Sequence, residues 1–107
     1  MRIGAIGAID LLNSNYRSMK HAGAETIASL EPMLRTLRAR GDLIERTPGT
    51  FYRKSQAFLH FHEDPAGIFA DLKDDLVTFK RYRVSTRAEQ RRLLRLITAA
   101  LGKDGKH

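Results

Sequence analysis

Hydrophobic and polar positions along the chain fall into four regions with different periods. Residues 1–23 mix short apolar runs with Gly4, Gly7, Asn13, Ser14, Asn15 and Gly23, and no single period emerges. A short helix over residues 5–12 and a helical docking arm over 1–23 are the expectations there. Over residues 25–40 the pattern sharpens, because Ile27, Leu30, Leu34 and Leu37 recur at helical spacing while Arg35, Arg38 and Arg40 take other positions. Gly41 supplies a stop for that helix. Pro32 either kinks it or sits in the first turn of a helix that begins near Leu30.

Residues 42–85 read as β-structure. Leu43 to Arg46 makes a short strand, Thr47-Pro48-Gly49 a turn, and residues 51–63 one strand or a broken pair. Asp64-Pro65-Ala66-Gly67 has the composition of a type I turn, with Asp first, Pro second and Gly fourth. A hairpin closed by that turn sets Glu63 opposite Ile68, Phe61 opposite Ala70 and Leu59 opposite Leu72 on a largely apolar face. The other face then pairs His62 with Phe69, His60 with Asp71 and Phe58 with Lys73. Asp74-Asp75 marks a further turn. Residues 78–85 alternate Phe79, Arg81 and Arg83 against Lys80, Tyr82 and Val84, which predicts a half-exposed strand with a basic face.

Thr86-Arg87-Ala88-Glu89 is a capping box, and Leu93, Leu94, Leu96, Ile97, Ala100 and Leu101 form the apolar stripe of the helix it opens. Gly102 ends that helix and residues 103–107 are a polar tail. The predicted architecture is one α+β domain over residues 1–107. It has an N-terminal helix or helices, a central antiparallel meander of three to five strands, and a C-terminal helix packed on the sheet.

Composition narrows the chemistry. With 42% hydrophobic and 29% charged residues, 107 residues are enough for one folded domain with a core. The sequence contains no Cys, which excludes disulfides, thiol catalysis and Cys-ligated zinc or iron–sulfur sites. The apolar run at the start is interrupted by Asp10 and is too short to span a bilayer. A cytoplasmic protein with no membrane association is therefore expected. Lys and Arg number 19 against 12 Asp and Glu, a formal charge of +7 that attracts polyanions.

Three constellations carry candidate chemistry. His60-x-His62 places two imidazoles on one strand face, where Asp71 across the hairpin could complete a metal site or orient a general base; Lys73 borders this polar cluster. The spacing of Asp64, Asp71 and Lys73 also has some likeness to the acidic–acidic-x-Lys core of restriction-type nucleases, in reversed Pro-Asp order. Arg81, Arg83, Arg87, Arg91 and Arg95, joined by Arg35 and Arg38, are the candidate nucleic-acid contacts.

Residues 30–54, LEPMLRTLRARGDLIERTPGTFYRK, resemble the recognition helix and first wing of winged-helix DNA-binding domains. That resemblance implies that Arg35, Arg38 and Arg40 face DNA and that Arg46, Arg53 and Lys54 are wing contacts. Residues 50–73, TFYRKSQAFLHFHEDPAGIFADLK, are similar to a type of small bacterial α+β protein, which implies a compact fold and no particular activity. The leading functional reading is a non-catalytic basic module that binds nucleic acid or another polyanion, without a cofactor. An enzyme or metal-binding protein centred on His60, His62 and Asp71 is the alternative. A homo-oligomeric interaction protein, in the simplest case a homodimer paired through an open sheet edge, is the third.

Overall fold

A computed structural model describes residues 20–102. The helix expected over residues 5–12 and the polar tail lie outside these residues, as does most of the docking arm. The described chain runs β1 (Lys20–His21), α1 (Ala24–Ser29), α2 (Glu31–Arg38), β2 (Ile44–Thr47), β3 (Thr50–Arg53), β4 (Gln56–Asp64), β5 (Gly67–Leu72), β6 (Lys80–Arg83) and α3 (Arg87–Gly102). The expected α+β architecture is present, with a C-terminal helix on an antiparallel meander.

The sheet follows the order β2-β3-β4-β5-β6, and the two-residue β1 pairs with the far end of β4. β4 is long enough to carry β3 and β1 in succession on one edge while β5 covers the other. The β4–β5 register is the expected one, from Leu59 opposite Leu72 to Asp64 opposite Gly67. Asp64 Oδ1 accepts a 2.7 Å hydrogen bond from the Ala66 N–H, which fixes the turn locally.

Residues 51–63 are a broken pair: β3 and β4 form a hairpin around Lys54 and Ser55, both at positive φ (51° and 70°). Two positive-φ residues suit the right-handed twist of the flanking strands, but Asn-Gly is the usual sequence there. Pairing between β3 and β4 then skips Phe58. Strict alternation puts Phe58 on the polar face beside His60; the irregularity instead lets Phe58 and Leu59 both enter the core, at 2% and 0% exposure.

The helix expected over residues 25–40 is two helices that meet at Leu30. Pro32 lies in the first turn of α2, where its missing N–H costs nothing, and α2 ends at Arg38, before Gly41. Leu30, Met33, Leu34 and Leu37 cluster with Leu93, Ile97, Ala100 and Leu101 of α3 and with Phe51, Leu59, Phe61, Ala70, Leu72 and Tyr82 of the sheet. Each large side chain removed from water in this layer contributes roughly 1.5–3 kcal/mol. The capping box of α3 is formed as expected: Glu89 N–H donates to Thr86 Oγ1 (3.1 Å), and Thr86 N–H donates to Glu89 Oε1 (3.0 Å). The helices thus occupy one face of the sheet, and the His60 side of β4 belongs to the other.

Candidate functional site

On that other face, sheet register sets Thr50, His60, Asp71 and Arg81 in one row across β3, β4, β5 and β6. The next row holds Phe69 between His62 and Arg83, with His21 of β1 opposite His62. Asp71 is the centre of the arrangement and is 1% exposed. A buried carboxylate needs partners for both oxygens. Arg81 Nε donates to Oδ1 at 2.9 Å, while Oδ2 lies 2.7 Å from His62 Nε2 and 3.6 Å from His60 Nδ1. His60 Nδ1 and His62 Nε2 are themselves 2.8 Å apart.

Burial by itself would raise the Asp71 carboxyl. Hydrogen bonds with His62 and Arg81 outweigh it and hold Asp71 below the usual aspartate value. Burial also pushes the His60 imidazolium down to about 4, against the opposing attraction of Asp71, so this ring is neutral at neutral pH. Neutral imidazole is the form that ligates a metal.

The rim of the cluster is aromatic. Phe79, in the connection before β6, stacks edge-on against His60 with ring centres 4.7 Å apart. The Lys73 amine sits 4.9 Å above Phe79, so Lys73 borders the cluster through that ring. His21 meets His62 edge-on at 6.2 Å, and its Nε2 is 3.3 Å from the Pro48 carbonyl oxygen.

The basic residues divide. Arg81 is engaged by Asp71, and Arg83 Nη1 donates to Glu89 Oε2 at 2.9 Å. Arg38 bridges Glu45 (2.6 Å) and Glu31 (3.1 Å), and Arg40 pairs with Asp42 at 2.9 Å. Arg46 lies over the Tyr52 ring. Arg35, Arg87, Arg91 and Arg95 are exposed. The structure therefore brings His60, His62 and Asp71 together, and it draws Arg81 into the same cluster rather than onto a basic face. Sequence periodicity missed Arg81, Phe79 and His21 as neighbours of the histidines. Arg81 depends on the length and shape of the 73–79 connection, and β1 is too short to carry a period.

No protein-family model matches this chain, and no curated protein or solved structure matches it either.

Proposed function

We propose that the protein binds a divalent cation of the zinc type through His60 Nδ1, His62 Nε2 and Asp71 Oδ2. The observation that carries this reading is that one nitrogen, His62 Nε2, faces both Asp71 and His60. A catalytic relay uses opposite nitrogens of an imidazole, one held by a carboxylate and the other presented to substrate. Here one nitrogen with at most one hydrogen meets two acceptor-capable atoms, which hydrogen bonding satisfies poorly and a shared cation satisfies fully.

Distances support the same reading. A point about 2 Å from all three atoms exists above their triangle, and about 2 Å is the bond length zinc takes to imidazole nitrogen and carboxylate oxygen. Two histidines and one carboxylate are a borderline N/O donor set, suited to zinc and its late first-row neighbours rather than to calcium or magnesium. Arg81 acts as the outer partner that orients Asp71: its Nε donates to Oδ1 at 2.9 Å and its Nη2 more weakly to Oδ2 at 3.4 Å, with Oδ2 also facing the histidines. Three protein ligands leave a fourth position for water or an anionic group, the arrangement of a Lewis-acid site rather than a closed structural one.

Titration of the chelator-stripped full chain with Zn²⁺, followed by calorimetry, tests the reading, with Co²⁺ absorption as an independent report of geometry. A one-to-one complex is expected, lost in His60→Ala and in Asp71→Asn and retained in His21→Ala. Absence of a one-to-one complex at micromolar metal, or equal binding by wild type and His60→Ala, overturns it.

A further inference from the structure

The structure segregates its positive charge. Lys20, Arg38, Arg40, Lys80, Arg81 and Arg83 all lie within 4 Å of a carboxylate. On α3 the situation is different: Arg87, Arg91, Arg92 and Arg95 are exposed, and among the described residues no carboxylate pairs with any of them. Arg87 reaches only the Gln90 amide oxygen, at 3.5 Å. The single acidic residue of the helix, Glu89, is 5% exposed and is turned inward by Arg83 and by the capping bonds.

Arg87, Arg91 and Arg95 are spaced four residues apart and so form one row along the outer side of the helix. At 1.5 Å per residue that row is about 12 Å long. Like charges at this spacing repel, each pair costing a few tenths of a kcal/mol. Both pairs here are uncompensated within the described residues, and a line of external negative charge relieves them.

We infer that this outer face of α3 docks on the phosphate backbone of duplex nucleic acid, independently of sequence. A membrane surface fits less well, because an interfacial helix needs large apolar side chains on its outside. Most apolar side chains of α3 are spent in the core, where Leu93, Ile97 and Leu101 are buried and Leu94 and Leu96 are half-buried against it, and the outer positions beside the arginines are Ala88, Thr98 and Ala99. Single-stranded nucleic acid fits less well too, because its binding relies on exposed aromatic platforms and α3 contains no aromatic residue. Duplex phosphates ask only for a row of cations, and arginine forks match phosphate oxygens.

Fluorescence anisotropy of the full chain with a short labelled DNA duplex, in chelator so that bound metal plays no part, tests the inference. Binding is expected in the non-specific range, about 10⁻⁴ to 10⁻⁶ M at physiological salt. Three phosphate contacts give a log–log salt slope of about −3, or a loss of roughly 40-fold between 50 and 200 mM salt. Arg91→Gln with Arg95→Gln should weaken binding at least 10-fold at low salt and flatten the slope by about 2. Arg91→Lys with Arg95→Lys should keep most of the affinity, and circular dichroism should show both double variants folded. Three results overturn the inference: no binding by wild type at tens of micromolar and low salt, an Arg91→Gln/Arg95→Gln variant with wild-type affinity and slope, or tighter binding to phosphatidylserine vesicles than to duplex.

Discussion

His62 approaches Asp71 more closely than His60 does, although His60 is the residue directly across the hairpin from Asp71 and His62 pairs with Phe69. The diagonal contact is 2.7 Å and the direct one 3.6 Å. Diagonal neighbours on an antiparallel pair are within reach of long or ring side chains, and the imidazole spans that gap. As a result both histidines and Arg81 depend on one buried carboxylate.

Removing that carboxylate should be costly even without metal. Asp71→Ala leaves the Arg81 guanidinium, whose side chain is 15% exposed, without its charged partner. A loss of roughly 3 kcal/mol or more is expected, as for other broken buried pairs. Asp71→Asn, which keeps an acceptor for Arg81, should lose less. Urea unfolding in chelator measures both, and an Asp71→Ala variant within 1 kcal/mol of wild type, the range of exposed ion pairs, would show that the pair contributes little.

Glu89 predicts a pH dependence. Burial alone would raise its carboxyl, but hydrogen bonds from the Thr86 N–H, Arg83 and the Ser85 N–H outweigh that and hold it below the usual glutamate value. A group depressed in the folded state contributes stability that is present above its unfolded pKa, about 4.3, and lost as pH falls through the folded value. Glu89→Gln should therefore be less stable than wild type at pH 7, and the gap should close as the pH drops below about 4. Urea midpoints of the two proteins across that window provide the check; a gap independent of pH contradicts the assignment.

Two glycines should respond oppositely to alanine. Gly67 has φ +142° and a Cβ there would lie 2.6 Å from Ser85 Oγ, which accepts the Ile68 N–H. Gly67→Ala should cost about 1–3 kcal/mol through backbone strain and the displaced Ser85. Gly41 has nothing within 4 Å of its Cβ position and an ordinary φ. Gly41→Ala is expected to be neutral or to stabilise by up to about 1 kcal/mol, because it restricts the unfolded chain. Thermal melts of the two variants distinguish them, and a Gly67→Ala protein as stable as wild type would show that the turn relaxes freely.

Local chemistry in the sequence determined the elements whose cause is local. Asp64-Pro65-Ala66-Gly67 encodes its own turn, and the apolar pairing of Leu59 with Leu72 and Phe61 with Ala70 leaves one register for β4 and β5, so His60 opposite Asp71 was legible. Thr86 with Glu89 encoded the start of α3, and its apolar stripe encoded most of the buried face: Leu93, Ile97, Ala100 and Leu101 are buried, while Leu94 and Leu96 are half-buried against the core. The β3–β4 hairpin was obscured because Lys54 and Ser55 take positive φ without glycine, a conformation only the surrounding strands impose. The Arg81 partner of Asp71 was decided by tertiary structure alone. Arg81 reaches it through the β5–β6 register, which depends on a 73–79 connection held by Asp75 bonds to the Val77 and Thr78 N–H groups and by Leu76 at φ 66°. The division of the arginines into paired and unpaired sets was equally hidden, because a charge count fixes how many cations exist but only packing decides which of them meet a carboxylate.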